Sequence, residues 1–425
     1  MNAPHSSSAL AVDDPRFSIA GSNYPLTDEQ RELVGLAEQL GRERFAPRAA
    51  QYDREATFPF ENYDDMRTSG LLGLCIPKQA GGLGADLRTY SLVSATIGKY
   101  CGATALTFNM HACTTLWTGL LSEDLDMTAA EREEHRANQQ LHFKRVLNGA
   151  VYAQPFSEGS AAAAGKAPFG TVASRVDGGW LINGKKIFAS LADGADYFGL
   201  LCTEDRGDSR SMRDTLYIAV PRNAPGLSIV GDWDPLGMRG TVSRNLVFKD
   251  VFVAANEQLM PRGVYFQAAS RWPHMFTTLS PTYMGITVAA YEFTVKYLRG
   301  EIEGMGPPVK RRMFPTKQIT TAEMHIKLEQ ARALFLRMLD DARVDPPKDA
   351  RMRALASQFT VMETAQDMCR LAIRTCGGQS MLKSLPLERM YRDARCGSLM
   401  LPWTAELCLD RLGREALYES GEQDD

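Results

Sequence analysis

The spacing of apolar residues changes twice along this chain, and that change limits the folds that the chain can adopt. From Leu26, "LTDEQRELVGLAEQLGRERFAP" and the segments after it repeat apolar residues at helical spacing to about residue 149. Between residues 150 and 260, short β-rich runs such as "TLYIAVP", "GLSIV" and "RNLVFKDVFVA" are bounded by Gly, Pro or Asp. Helical spacing then returns and continues to the C-terminus. The pattern predicts an α+β protein with an N-terminal all-helical domain (25–149), a middle antiparallel β domain (150–260) and a C-terminal helical bundle (261–425).

Local signals mark where individual elements begin and end. Thr27, followed three residues later by Gln30, predicts a capping box, and Pro47 is expected to end that helix. Alternation on both sides of residues 177–179 predicts a β-hairpin. "TAEMHIKLEQARALFLRMLDDAR" and "RALASQFTVMETAQDMCRLAIRTCGG" predict two long helices, the second ended by Gly377-Gly378. The apolar faces of these helices are larger than one four-helix core would bury. We therefore expect that other subunits cover the rest, in a homodimer or homotetramer.

Charge and composition exclude several classes of function. The 425 residues carry a formal net charge of -3, and no block of like charge is long enough to follow nucleic acid. Eight cysteines lack any C-x-x-C pair and six histidines are dispersed, so neither a disulfide framework nor a metal site is expected. No apolar run reaches the ~18 residues that span a membrane. Residues 1–24 lack the features of a signal peptide and predict a mobile tail, so we expect a cytoplasmic protein.

Several stretches, in the same order along the chain, resemble those of one enzyme family. They are "FENYDDMRTSGLLGLCIPKQAGGLG", "WLINGKKIFAS", "LGMRGTVSRNLVFKDVFV" and "CGGQSMLKSLPLERMYRDAR". From about residue 26 to 415 the chain resembles acyl-CoA dehydrogenases. The resemblance implies a middle β domain between an N-terminal helical domain and a C-terminal four-helix bundle. It also implies FAD bound between the β domain and the bundle, with a second subunit completing the dinucleotide site.

The resemblance assigns cofactor roles to residues of the β domain. Ser157 stands at the threonine of the family's T-E-P stretch and would offer a hydroxyl and a backbone N–H to the flavin pyrimidine edge. Ser190 ends "IFAS" where the family has W-I-T, and its hydroxyl would reach the N5 side. Phe188 replaces the tryptophan that packs on the ring. Taken alone, Ser190 could simply end a strand.

Further cofactor contacts are implied in the C-terminal part. Gly377-Gly378 would let backbone approach the pyrophosphate of the partner subunit's FAD, although alone the pair is typical of a helix C-cap. Gln318 matches the family's glutamine, and Arg311 or Arg312 would pair with the pyrophosphate. Both arginines stand closer to Gln318 than the family arginine does. The tail segment retains Thr404 and Glu406, the latter at a position that usually contacts FAD.

The catalytic base is missing from both places where the family carries it. Alignment through Thr404 puts Pro402 at the tail position, and Met275 lies near the alternative position on the first helix of the bundle. Among nearby carboxylates, Glu406 is a weak candidate base. Glu158 is expected to brace the flavin loop, and Asp393 is expected to pair with neighbouring arginines. The loop that meets pantetheine in the family is replaced by "AAAAG" at residues 161–165.

Three functions remain open from the sequence. The first is α,β-dehydrogenation of an acyl thioester, bound to CoA or a carrier protein, with an electron-transfer partner. The second is a flavin-dependent monooxygenase, which uses oxygen and needs no base for an α-proton. The third is an inactive flavin-binding subunit that forms a heteromer with an active paralogue.

Overall fold

The helical and β segments follow one another as the apolar spacing predicts. The computed structural model describes residues 14–22, 24–159, 165, 167–302, 311–419 and 422. The α-helices are α1 (Asp28–Leu40), α2 (Ala46–Glu55), α3 (Phe60–Thr68), α4 (Leu87–Tyr100), α5 (Gly102–Leu116), α6 (Ala129–Leu147), α7 (Val264–Arg271), α8 (Ser280–Arg299), α9 (Pro315–Asp341), α10 (Lys348–Cys376), α11 (Leu387–Cys396) and α12 (Ala405–Leu417). The strands are β1 (Tyr152–Ala153), β2 (Val172–Val176), β3 (Gly179–Ala189), β4 (Tyr197–Glu204), β5 (Thr215–Pro221), β6 (Leu227–Val230), β7 (Arg244–Ala254) and β8 (Gln258–Met260).

The first helix begins as predicted but does not end as predicted. The Thr27 hydroxyl accepts from the Gln30 backbone N–H at 3.1 Å, and the Gln30 side chain accepts from the Thr27 N–H at 3.1 Å, so the capping box is confirmed. Pro47 does not terminate the helical run. A π-helical turn, Gly41–Phe45, joins α1 to α2, and Pro47 lies in the first turn of α2. Proline is tolerated there because a first-turn residue needs no intrahelical N–H.

Residues 14–22, predicted to belong to a mobile tail, instead pack on the bundle. Phe17 and Ile19 are buried. The Arg332 guanidinium, itself buried, donates to the backbone oxygens of Arg16, Ser18 and Ile19 at 3.2, 3.0 and 3.2 Å. These contacts tie the segment to α9. Residues 1–13 and 23 lie outside the described residues.

The strands form one eight-stranded sheet in which β1 pairs with β4 and the others follow the order β6-β7-β3-β2-β4-β5-β8. β2 and β3 form the predicted hairpin, with Val176 paired to Gly179 and Gly178 at a φ of 76°. The sheet is not antiparallel throughout, because β1 and β2 both run parallel to β4. β2 lies between the consecutive strands β3 and β4. β3 is antiparallel to β2. Because β4 runs in the opposite direction to β3, β4 is parallel to β2.

Helix α8 connects the N-terminal helices to the C-terminal bundle. It packs against α9 and α10 of the bundle and also against α4. At the crossing with α4, a Cβ on Gly98 would lie 2.7 Å from the Thr282 backbone oxygen, and one on Gly285 would lie 2.2 Å from the Ala95 oxygen. Only glycine permits this backbone contact between the two helices. Within the described chain, no helix has both the length and the apolar character needed to cross a membrane.

Candidate active site

A cavity of about 510 Å³ lies where the helical N-terminal part, the sheet and the bundle meet. Of its lining residues in the described chain, none has a charged side chain. Helix α5 contributes one wall, the end of β3 and the loop before β7 contribute the second, and the segments around α8 and before α12 contribute the third. Representative residues of these walls are Met110 and Cys113, Phe188 and Ser190, and Met275 and Pro402. The arrangement suits a neutral, largely apolar occupant.

The β3 wall carries an aromatic ring held in a strained backbone conformation. Phe188 has a φ of 53° and is 63% exposed, and its ring meets Trp233 edge-on with centroids 6.3 Å apart. Non-glycine residues rarely adopt such a φ, and those that do are concentrated at binding sites. An aromatic residue left uncovered at a cavity provides a face for a planar ring. A flavin ring is therefore compatible with this wall.

Two predicted flavin residues lie beside Phe188. Ser190 exchanges a hydrogen bond of 2.8 Å with Ser243, which does the same with Thr241 at 2.8 Å. Ser157 also lines the cavity, and its backbone oxygen accepts from the Ile187 N–H at 2.8 Å. The structure thus brings Ser157, Phe188 and Ser190 together at one cavity wall.

A buried ion pair supports the loop that holds Ser157. Lys186 donates to Glu158 at 2.7 Å, and the Glu158 carboxylate also accepts from the backbone N–H groups of Gly170 and Thr171 at 2.6 and 3.0 Å. Burial opposes the ionisation of Glu158, but the Lys186 ammonium and these hydrogen bonds outweigh it and lower the pKa of the carboxyl group. Glu158 therefore braces the loop. Residues 161–164 of the adjoining segment lie outside the described residues.

The other predicted cofactor residues form a second group on the bundle. The Gln318 side chain donates to the Arg312 oxygen at 3.0 Å, and the Arg311 guanidinium lies 4.7 Å from the centroid of the Tyr297 ring. Lys317 donates to the Thr375 oxygen and so joins the start of α9 to the end of α10. These contacts place Arg311, Arg312, Gln318, Gly377 and Gly378 at one end of the bundle.

Gly377 has a backbone conformation that only glycine adopts readily. Its φ of 84° and ψ of -171° fall in a region closed to residues with a side chain. No atom lies within 4 Å of a Cβ built on Gly377 or Gly378, so the surface beside both is open. The pair ends α10, as predicted, and leaves its backbone accessible.

The start of α12 contains the last two predicted residues. Thr404 caps this helix, because its hydroxyl accepts from the Leu407 N–H at 3.3 Å. Glu406 is exposed in the first turn and is not among the residues that line the cavity. The structure therefore places Glu406 away from the lining, where it is accessible to a cofactor approaching from outside.

Both family positions for a catalytic base line the cavity, yet neither carries a carboxylate. Pro402 and Met275 are lining residues, as the alignment predicts. The lining thiols are not replacements, since burial raises the pKa of both Cys113 and Cys396 to about 12. Burial likewise raises the pKa of Tyr265 well above its usual value. The described lining thus lacks a group that would accept a proton near neutral pH.

Asp393 has a different role from the predicted pairing with arginines. Its carboxylate accepts from the Met238 backbone N–H at 2.5 Å, and burial raises its pKa to about 6. The neighbouring Arg392 binds Asp53 and Glu388 instead, at 2.6 and 2.9 Å. Met238 lines the cavity and has a φ of 55°, so Asp393 holds a strained part of the cavity wall in place.

Sequence reasoning missed further polar residues of the cavity wall, among them Trp117, Gln154 and Tyr265. The only signal for Trp117 is its helical spacing with the lining residues Met110 and Cys113, which places it on the same face of the helical segment. That spacing is equally typical of a core face. Gln154 and Tyr265 come from other segments and gave no signal.

Three family patterns match the chain along its length. Residues 27–121 match "Acyl-CoA dehydrogenase, N-terminal domain", residues 156–251 match "Acyl-CoA dehydrogenase, middle domain", and residues 276–410 match "Acyl-CoA dehydrogenase, C-terminal domain". Together the matches span well over half of the chain.

Individual relatives of this chain are named as different kinds of enzyme. The putative acyl-CoA dehydrogenase YdbM of Bacillus subtilis is 29% identical over 92% of this chain and 98% of its own length. The L-evernosamine nitrososynthase of a Micromonospora species is 30% identical, over 96% of this chain and 94% of its own. The solved structure of dibenzothiophene monooxygenase from Paenibacillus sp. A11-2 is 21% identical, with a TM-score of 0.74 over 91% of this chain and 97% of that one. The similarity to the dibenzothiophene monooxygenase shows a shared fold and nothing more.

Proposed function

This chain belongs to the acyl-CoA dehydrogenase family and is an FAD-dependent oxidoreductase, and we propose that its substrate reacts in the cavity beside Phe188. The observation that carries the proposal is the strained and 63% exposed Phe188 ring at the wall of an uncharged cavity. When bound, FAD supplies two-electron oxidation of a substrate or, once reduced, reaction with dioxygen.

Two sets of residues would hold the cofactor. Ser157 and Ser190 offer hydroxyls to the polar edge of the flavin, and Phe188 covers its face. In a dimer or tetramer, the group at the end of the bundle would bind the dinucleotide of a neighbouring subunit through Arg311, Arg312, Gln318, Gly377 and Gly378. Thr404 and Glu406 would contact the same cofactor from the start of α12.

The first candidate reaction is α,β-dehydrogenation of an acyl thioester, the reaction that the family relationship supports. It removes a proton from the α-carbon and a pair of electrons with a proton from the β-carbon. Because Pro402 and Met275 occupy the two family positions of the base, the α-proton would pass to a group outside the described lining, such as solvent. Electrons would then leave through an electron-transfer partner.

The second candidate is flavin-dependent monooxygenation, and the absence of a carboxylate from the described lining favours it. Oxygen insertion does not begin with removal of an α-proton, so Pro402 and Met275 are no obstacle. A relative 30% identical to this chain is named a nitrososynthase, and the fold is shared with a dibenzothiophene monooxygenase. In this reaction, an uncharged lining would exclude water from the reduced flavin.

One experiment separates the two reactions. FAD-loaded protein is mixed without oxygen with butyryl-, octanoyl- and palmitoyl-CoA while flavin bleaching is followed. In a second arm, photoreduced protein is exposed to ¹⁸O₂ with the same thioesters and with indole, and products are examined by mass spectrometry. Bleaching without oxygen supports dehydrogenation, and labelled product supports monooxygenation. Full flavin occupancy with neither outcome refutes both and supports the inactive subunit.

A matched pair of variants tests the flavin wall itself. Phe188→Ala should reduce FAD retention, because it removes the face that packs on the ring. Phe252→Ala is the control, since Phe252 is a comparably exposed strand residue, at 51%, that does not line the cavity. Equal FAD content in both variants would contradict the placement of the cofactor.

A further inference from the structure

Three hydroxyl side chains form a hydrogen-bonded row along the cavity wall beside Phe188. Thr241, Ser243 and Ser190 all line the cavity, and successive hydroxyl oxygens of the row lie 2.8 Å apart. Thr241 and Ser243 are buried, with exposed fractions of 1% and 6%, whereas Ser190 is partly exposed. Ser190 is therefore the member of the row that is open to an occupant of the cavity.

The buried end of the row fixes the direction in which its protons point. The Thr241 hydroxyl oxygen also lies 2.8 Å from the Met238 backbone oxygen. Because a carbonyl oxygen only accepts, the single proton of the Thr241 hydroxyl points at Met238. Thr241 must then accept from Ser243, and Ser243 must in turn accept from Ser190. Each hydroxyl of the row therefore spends its one proton on the next oxygen toward the buried end.

Ser190 consequently has no proton left for an occupant of the cavity. Its hydroxyl donates to Ser243, and its backbone N–H donates to the Phe188 oxygen at 3.0 Å. Its hydroxyl oxygen still has lone pairs that can accept. If Ser190 donated into the cavity instead, two hydroxyl oxygens 2.8 Å apart would face each other without a proton between them, and one hydrogen bond would be lost. The Ser190 side chain is therefore an acceptor toward the cavity.

We propose that Ser190 accepts a hydrogen bond from the N5–H group of the reduced flavin and so favours the reduced cofactor over the oxidised one. N5 of an oxidised flavin has a lone pair and no hydrogen, whereas two-electron reduction adds a proton there. The oxidised ring thus presents an acceptor to Ser190, and the reduced ring presents a donor. The inference rests on the proposed function in taking Phe188 as the wall that the ring covers and Ser190 as the residue at its N5 side.

The preference bears on both candidate reactions, because each of them uses the reduced flavin. In dehydrogenation it makes FAD a stronger oxidant of the substrate, and in monooxygenation it stabilises the form that meets dioxygen. Ser243 and Thr241 are positioning residues, since they act on the flavin only by fixing the direction of the Ser190 proton.

The reduction potential of the bound FAD tests this polarity without requiring turnover. It is measured by stepwise photoreduction of FAD-loaded protein in the presence of reference dyes. Ser190→Ala removes the acceptor and should lower the ratio of reduced to oxidised affinity about five- to tenfold, the effect of one hydrogen bond. For a two-electron couple this lowers the potential by about 20–30 mV. Ser228→Ala is the control, because Ser228 is an exposed strand serine outside the cavity lining, and it should leave the potential unchanged.

Ser243→Ala changes the direction of the proton rather than removing the Ser190 hydroxyl. The Ser190 proton then has no acceptor in the row, so the hydroxyl turns and donates to N5 of the oxidised ring. The potential should fall by a similar amount, because Ser190 now pairs with either redox state. The dissociation constant of oxidised FAD separates the two variants. Ser243→Ala should bind oxidised FAD about five- to tenfold more tightly than wild type does, whereas Ser190→Ala should bind it equally well.

The outcomes separate this inference from the proposed function. A higher potential in Ser190→Ala would overturn it, because the wild-type hydroxyl would then be donating to the oxidised ring. An unchanged potential would overturn it as well, since Ser190 would not meet N5. If Phe188→Ala still lowers FAD retention relative to Phe252→Ala, the cofactor lies in this cavity and only the role of Ser190 is lost. Equal retention in those two variants would remove the placement of the flavin and this inference with it. If Ser190→Ala fails to fold, unchanged affinity of Ser243→Ala for oxidised FAD is the refuting result.

Discussion

Replacing Asp393 by asparagine should change how the stability of the protein depends on pH. Asp393 is 4% exposed, and its carboxylate accepts from the Met238 N–H. Burial raises its pKa from 3.8 to about 6, against the opposing effects of that hydrogen bond and of the nearby Arg389. An asparagine side chain has nearly the same shape and keeps an acceptor oxygen for Met238, but it does not ionise.

The sign and size of the effect follow from the raised pKa. The folded protein holds the Asp393 proton more tightly than the unfolded chain does. Its contribution to stability is therefore fully present below pH 3.8 and is lost as pH rises through about 6. The difference between these pKa values, at about 1.36 kcal/mol per pKa unit, corresponds to about 3 kcal/mol. Part of this loss has already occurred at pH 4, so Asp393→Asn should gain about 2.4 kcal/mol on the wild type between pH 4 and pH 7.5.

Thermal unfolding of the FAD-loaded proteins measures this gain. An unfolding entropy of about 2.1 cal/mol/K per residue over 425 residues converts about 2.4 kcal/mol into a difference of about 3 °C in midpoint. Asp410→Asn on α12 is the control, because it removes one negative charge from a residue that is exposed. A difference between Asp393→Asn and wild type that stays constant from pH 4 to pH 7.5 would refute the reasoning.

Three further predictions concern the cofactor site and the assembly. Lys186→Met should lower the free energy of unfolding by about 3–5 kcal/mol, because it leaves Glu158 buried without its cation. Denaturant titration should show that adding Glu158→Gln recovers most of the loss, and no recovery would argue against the pair. Glu406→Gln should lower FAD retention more than turnover per bound flavin; full flavin content with abolished turnover would identify Glu406 as the base. Sedimentation should show a dimer or tetramer, and a stable FAD-loaded monomer of 47.0 kDa would contradict the shared cofactor site.

Elements specified by neighbouring residues could be predicted from the sequence. The capping box of Thr27 and Gln30, the hairpin at residues 177–179 and the end of α10 at Gly377 depend on local backbone preferences. Features that depend on distant residues were not predicted. The parallel pairing of β2 with β4 arises from the position of β2 in the sheet, and the packing of residues 14–22 depends on Arg332, far along the chain.

The same distinction applies to the cavity. Ser157, Phe188 and Ser190 lie in stretches that resemble a family, so alignment located them. The family positions at Met275 and Pro402 were likewise located, together with their loss of a carboxylate. None of the stretches quoted for the resemblance contains Trp117 or Tyr265, which reach the cavity from separate segments of the chain. Asp393 was identified, but its acceptor role toward Met238 depends on a loop more than one hundred residues earlier in the chain.

The backbone contact at Gly98 and Gly285 has a consequence for attempts to re-engineer this protein. α4 leads directly into α5, which forms one cavity wall, and α8 begins just after the lining residue Leu279. The separation of these two walls is therefore set by main-chain contact between two glycines, while the chemistry of the walls is set by replaceable side chains. Libraries that vary the side chains lining the cavity should alter selectivity without altering its width. Any residue other than glycine at position 98 or 285 would instead force the walls apart, whatever the rest of the library contains.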